Sequence, residues 1–309
     1  MQGGTAGPRR LSQPPSTTDL HLLLDKRLHL PFAAACRITR AIRASSRPQQ
    51  YRERVHVARE LAPGALDVER SEGYRRLAPG ELPGTGPVIA RCLELHEERR
   101  KRLTASELHH NPRKDFLLSI LSGPDFRDHA ELVEFMVSRP IVAAAARYLG
   151  SVPVLSGAHL WWSPPNESAR SSQLFHNDRE DTEQLKLFLH VTPVSEENGP
   201  LTLLPAHSSR RIRQRLGSHK RRLRDAEIER TGALSERIHL TGGAGSAAFV
   251  DTSSCLHYGS RGNRSDRLML AIQFLRFHAP RRATVPFRPP DDLARMKLDP
   301  LQRLALGVR

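Results

Sequence analysis

Apolar positions change their rhythm near Gly150: before it they recur at helical spacing, and after it they fall into short runs between turn signals. From Leu20 to about Ala44, Leu22, Leu23, Leu28, Leu30, Ala34, Ile38 and Ile42 mark one helical face, broken at Pro31, whose ring cannot continue the hydrogen-bond ladder. A stretch punctuated by Pro63-Gly64, Pro79-Gly80 and Pro83-Gly84 follows, with room for one short strand between Asp67 and Leu77. Val88, Ile89, Cys92, Leu93 and Leu95 predict another helix, running out into the basic stretch Arg99 to Arg102. Lys114 to Leu149 reads as a helical block. Asp125 or Asp128 suits the cap of its middle helix, Pro140 the first turn of the next, and Gly150 the close.

Beyond Gly150 the segments have β-type composition: Val152 to Ser163, Gln173 to Asp178, Gln184 to Val194, Leu201 to Leu204, Arg237 to Leu240, Ala247 to Cys255 and Arg267 to Phe277. Helices are missing between most of them, which predicts an antiparallel sandwich or barrel instead of a βαβ sheet. A basic insertion of helical composition, Ser208 to Arg230, interrupts the series. The expected fold class is α+β, mainly β: a jelly roll with an N-terminal helical region packed on it. Residues 1–18 are expected to be a flexible leader and 19–309 a single domain. Within it, 19–150 would be helical support, 151–278 the jelly-roll core and 279–309 a C-terminal extension.

Composition narrows the function. The 309 residues carry a formal net charge of +15, yet 42 of the 48 basic residues are Arg, a bias that codon usage can produce without any nucleic-acid partner. Aromatics make up only 5%, few for stacking on bases. Three dispersed cysteines, Cys36, Cys92 and Cys255, build neither a disulfide framework nor a zinc site, so a reducing, cytoplasmic setting is expected. The polar leader does not read as a signal peptide, and the longest apolar runs, such as Ile141 to Ala146, are far too short to span a membrane.

The chemistry-bearing residues lie in the β half. In Phe175-His176-Asn177-Asp178, strand parity would put His176 and Asp178 on one face, a pattern that a half-exposed surface strand also produces. His257, after Ala247-Ala248-Phe249-Val250-Asp251 and before a Gly-rich turn, adds a second imidazole. Two His and one carboxylate can hold Fe(II) by one face and leave three positions open. Arg267 heads the apolar run Leu268 to Phe274. Either it lies in water just outside that strand, or it is buried against an anion such as the distal carboxylate of 2-oxoglutarate.

From Val152 to Phe277 the chain resembles the phytanoyl-CoA dioxygenase family of Fe(II)/2-oxoglutarate oxygenases. The matching pieces are Trp162-Ser163-Pro164-Pro165, His176-Asn177-Asp178, Glu197-Asn198-Gly199-Pro200-Leu201 through Pro205-Ala206-His207-Ser208, Gly245 to Phe249, and His257 to Arg267. The resemblance implies a double-stranded β-helix (cupin-like jelly roll) with His176, Asp178 and His257 as iron ligands and Arg267 as the anchor for 2-oxoglutarate. It also implies O₂ as oxidant, succinate and CO₂ as products, and a hydroxylated small-molecule substrate. His207 falls in a structural turn. Two departures stand out: Tyr258 is inserted where the family has His-Gly-Ser, and the interval to Arg267 is one residue short. A carboxylate at 178, where related halogenases carry a small residue, favours hydroxylation.

The same resemblance places Phe188 and His159 against 2-oxoglutarate. In Leu185 to His190 one face carries Lys186, Phe188 and His190 and the other three leucines. Lys186 then either lines the cavity beside the co-substrate or, with the leucines turned to the core, stands in water. His159 shares a face with Trp161, a substrate-side candidate; a hydrogen-bonded core histidine fits His159 as well. Alternation would put Cys255 beside His257. The insertion's Arg210, Arg211 and Arg213 would form a lid that draws in an anionic substrate, or simply a solvated helix. The competing class is a non-catalytic basic jelly roll that binds nucleic acid or an anionic ligand.

Overall fold

Pro31 precedes helix α1 (Phe32–Ser46) of the computed structural model, where its fixed φ suits a helix start. The structure describes Leu24 and residues 30–102, 115–122, 124–217, 222–280 and 296–308. The expected leader, 1–18, lies outside them, as do 218–221 of the insertion and most of the C-terminal extension. The buried stripe of α1 is Ala35, Cys36 and Thr39, while Ile38 and Ile42 are 43% and 54% exposed, contrary to the expected face. Polar anchors set the rotation: Arg40 pairs with Asp181 and Thr182, and Arg43 reaches the Ala279 carbonyl.

Helix α2 (Pro48–Glu60) sends Arg54 inward to donate to the Val152, Pro153 and Leu304 carbonyls, at 3.0, 3.1 and 2.7 Å. Helices α3 (Thr85–Arg102), α4 (Asp125–Asp128), α5 (Ala130–Met136) and α6 (Arg139–Leu149) follow. Pro140 sits in the first turn of α6, and Gly150 closes it at φ 71°. Asp125 opens α4 and accepts the Ser122 N–H at 2.6 Å. The last described helices are α7 (Ala206–Leu216), α8 (Asp225–Glu229) and α9 (Pro300–Leu306). No helix among the described residues is long and apolar enough to cross a membrane.

Among the described residues eleven strands form two antiparallel sheets: β1 (Tyr74–Leu77), β2 (Leu118–Ser119), β3 (Val154–Ser163), β4 (Phe175–His176), β5 (Leu185–His190), β6 (Leu201–Leu203), β7 (Arg222–Leu223), β8 (Ile238–Leu240), β9 (Ala247–Val250), β10 (His257–Tyr258) and β11 (Arg267–Leu275). The larger sheet runs β1-β9-β5-β11-β3-β2 and the smaller β7-β4-β10-β6-β8, which is the jelly-roll arrangement. Three two-residue strands depart from expectation. β2 lies inside the supposed helical block, β7 inside the insertion, and β10 belongs to the other sheet from β9.

Parity decides what faces the barrel interior. Leu185, Leu187 and Leu189 of β5 and Leu268, Leu270, Ile272 and Phe274 of β11 pack with the helices. Phe188, Met269 and Ala271 pack with Ala248, Val250 and Leu203 between the sheets. Each fully buried leucine contributes roughly 1.5–3 kcal/mol. A one-residue slip would turn all three into the barrel, so burial fixes the register. Lys186 and His190 therefore share the inner face with Phe188. The insertion helix α7 is docked on the outside of the smaller sheet, where Ile212 packs with Phe175, Leu223 and Tyr258.

Candidate active site

His176 and His257 stand directly opposite each other on the paired strands β4 and β10, ring centroids 4.4 Å apart. Each imidazole is oriented by its own chain: His176 Nδ1 bonds the Leu174 carbonyl at 2.9 Å and His257 Nδ1 the Cys255 carbonyl at 3.0 Å. A carbonyl only accepts, so the proton belongs on Nδ1 and the Nε2 lone pairs are free to ligate. Asp178 lies just beyond β4 and not on it, placed by its N–H to the Thr252 carbonyl at 2.9 Å. Its Oδ1 is 3.8 Å from His176 Nε2 and its Oδ2 3.9 Å from His257 Nε2. The three ligand atoms lie within 4.8 Å of one another, close enough for a slight closing of the side chains to bring them onto one ion.

Electrostatics favours the ligating protonation states. Burial, then the neighbouring His257, pushes His176 down to about 4, and burial also lowers His257. For Asp178 burial works upward, but Lys186, His257 and His176 together hold the carboxyl well below the usual range. Lys186 Nζ donates to Asp178 Oδ2 at 2.7 Å, with its side chain 20% exposed. The water-facing reading of Lys186 is thereby excluded.

Arg267 is 1% exposed. Its Nη1 donates to the Gly199 carbonyl at 2.6 Å, and its Nη2 to Ser260 Oγ at 2.7 Å and Ser163 Oγ at 3.2 Å. Nε has no partner, and no carboxylate among the described residues bonds the group. Burial alone pushes it down to about 10. A buried guanidinium that meets only neutral acceptors among the described residues has the chemistry of an anion-binding group. Ser260 lies three residues beyond His257, so one short segment carries both a triad imidazole and an acceptor of Arg267.

The structure also shows what holds this cation. Gly199 sits at φ 58° and Ser260, though not glycine, also at φ 58°. Ser163 Oγ and Ser260 Oγ are 2.8 Å apart, and Gln173 Nε2 donates to the Ser260 carbonyl. None of Gly199, Ser163 or Ser260 was singled out in the sequence as a contact of Arg267, although Ser163 shares strand parity with Trp161. The inserted Tyr258 does no harm: it turns to the outer face, against Phe175 and beneath Arg261, and Ser260 still reaches Arg267.

The remaining expected residues divide. Phe188 is on the inner face, one step across Ala271 from His159. His159 stacks on Trp161, centroids 4.4 Å apart, with Ser119 Oγ 3.3 Å from its Nδ1. Arg213 donates from Nε to Asn177 Oδ1 at 2.9 Å, between two of the triad residues in sequence. Arg210 is exposed, and Arg211 is tied to Glu236 at 2.5 Å on the outer surface. His207 lies 3.4 Å from Glu72, away from the triad. Cys255 ends the turn after β9 and packs in the inner cluster with Phe188 and Met269, its thiol toward the Glu72 and Gly73 carbonyls at 3.5 and 3.6 Å.

That turn is itself held by a buried carboxylate. Asp251 accepts Tyr148 Oη at 2.8 Å, Ser254 Oγ at 2.7 Å and the Ser253 and Ser254 N–H groups at 2.9 and 3.0 Å. Burial pushes it up to about 6 against those donors. The turn presents the Thr252 carbonyl that places Asp178.

No family model matches the chain, and no curated protein matches it. Solved structures of similar shape include AviO1 from Streptomyces viridochromogenes Tue57, 19% identical over 69% of this chain and 94% of that one, TM-score 0.48. SnoK, a non-heme alpha ketoglutarate dependent carbocyclase from nogalamycin biosynthesis, is 17% identical over 76% and 90%, TM-score 0.49. EctD from S. alaskensis, crystallised with 2-oxoglutarate and 5-hydroxyectoine, is 15% identical over 71% and 85%, TM-score 0.47. At such identities and scores, the jelly-roll assignment rests on the strand order and register given above.

Proposed function

We propose that the chain is an Fe(II)- and 2-oxoglutarate-dependent oxygenase, of the type that phytanoyl-CoA dioxygenases represent, and that it hydroxylates a small molecule. The observation that carries this reading is the buried Arg267, which meets no carboxylate among the described residues, in the same barrel as the His176–Asp178–His257 cluster. The donor set, two neutral imidazoles and one carboxylate, fits a divalent iron and leaves three positions for ligands. Iron, when bound there, supplies the dioxygen chemistry, in which 2-oxoglutarate is converted to succinate and CO₂ as the substrate is oxidised.

The protein's own part is positional. His176 and His257 present Nε2, each held by a backbone carbonyl; Asp178 supplies the compensating charge; Arg267 grips the far carboxylate of 2-oxoglutarate through a planar fork. Phe188, Met269 and Ala271 line the same face and exclude water from it. His159 and Trp161 offer a stacked platform on that face, and Arg213, beside Asn177, favours a substrate carrying negative charge. Residues 19–309 act as one catalytic domain in this reading, and three buried free thiols suit a reducing cytoplasm.

Succinate release from 2-oxoglutarate with Fe(II), O₂ and ascorbate is the direct test. We expect release from the unaltered protein and its loss in His176→Ala, with the melting temperature little changed. Unchanged release in that variant defeats the assignment.

A further inference from the structure

Lys186 is set where a lysine is costly. Four-fifths of its side chain is covered, it lies on the inner face of β5, and its ammonium bonds one oxygen of the carboxylate that completes the triad. The two oxygens of Asp178 are therefore unequal. Oδ2 carries Lys186 at 2.7 Å while facing His257 Nε2 at 3.9 Å, and Oδ1, with no ammonium on it, faces His176 Nε2 at 3.8 Å. An oxygen already holding an ammonium is a poor second ligand for a cation.

The geometry points to Lys186 as a positioning residue that keeps Asp178 a one-oxygen ligand and shifts the centre's preference from holding metal toward holding a dianion. This rests on reading the cluster as an iron and 2-oxoglutarate site. Two charges are at work. Asp178 alone would leave a divalent ion with one net positive charge, and Lys186 restores a second within reach of the same ligand. A nearby fixed cation repels the metal and attracts the dianionic co-substrate, so the two affinities are set against each other. Holding Oδ2 away also keeps a coordination position open that two-oxygen binding would consume.

The test needs no turnover. Co(II) is titrated into the protein, and 2-oxoglutarate into the Co(II)-loaded protein, for wild type, Lys186→Met and Lys186→Gln; the visible Co(II) absorption reports coordination. In Lys186→Met, Co(II) binding tightens at least tenfold, 2-oxoglutarate binding weakens at least tenfold, and the spectrum changes as the freed oxygen joins the metal. Lys186→Gln keeps a hydrogen-bond donor without the charge, so the affinities move the same way while the spectrum stays that of wild type. Damage to the fold would weaken both affinities together. Both weakening, or neither moving more than twofold, overturns the inference while leaving the iron site standing. Failure of the wild type to bind Co(II) removes the reading of the site itself, and the inference with it.

Discussion

Arg267→Leu is expected to lower 2-oxoglutarate-dependent turnover by roughly a hundredfold to ten-thousandfold. The guanidinium would give the distal carboxylate two charge-assisted hydrogen bonds of about 1.5–3 kcal/mol each, and leucine gives none. The loss should appear first as a rise in KM for 2-oxoglutarate. Stability should move much less, because two opposed terms change together. The variant removes a buried charge that meets no carboxylate among the described residues, and it strands the Gly199 carbonyl and the Ser163 and Ser260 hydroxyls that now accept from it. Arg267→Lys keeps the charge without the fork and should fall between. Urea unfolding beside steady-state kinetics separates the two effects. A large stability loss with an unchanged KM would mark Arg267 as a structural clamp.

Gly199→Ala is expected to be the most destabilising small substitution near the site. The residue sits at φ 58° and ψ 62°, left-handed backbone that costs an alanine roughly 1–2 kcal/mol. A Cβ there would overlap Asn263 Oδ1 and press on the Arg261 backbone nitrogen at 3.0 Å. Relieving such an overlap costs about 1–3 kcal/mol more. Because the Gly199 carbonyl holds Arg267, weaker 2-oxoglutarate binding should accompany the loss. The double variant Gly199→Ala/Asn263→Ala tests the cause: it should recover the steric part and leave the backbone part. No recovery would mean that the Arg261 backbone, not Asn263, is the obstacle.

The parts of this site that could be read from sequence are those that alternation and spacing control. The leucine face of Leu185 to Leu189 and the apolar face behind Arg267 each fix a strand's orientation, so Phe188, Lys186 and Arg267 fall inside the barrel. What alternation could not deliver was set by turns and by sheet membership. Asp178 is placed by a carbonyl seventy-four residues away in sequence, that of Thr252, and not by a shared strand with His176. His257 reaches His176 because the chain changes sheets in the turn after Val250. Two-residue strands such as Leu118–Ser119 and Arg222–Leu223 leave too little pattern to detect. The insertion's many arginines gave no hint that Ile212 would anchor its helix to the outer face. Along α1 the apolar spacing misled, since small residues allowed close packing while Ile38 and Ile42 stayed outside.

Anaerobic titration of Fe(II) into the metal-free protein, with and without 2-oxoglutarate, bears most directly on the central claim. One equivalent per chain should bind, more tightly when 2-oxoglutarate is present, and the binding should vanish in both His176→Ala and His257→Ala. Retention of the same equivalent by either variant, or no stoichiometric binding by the unaltered chain, would contradict it.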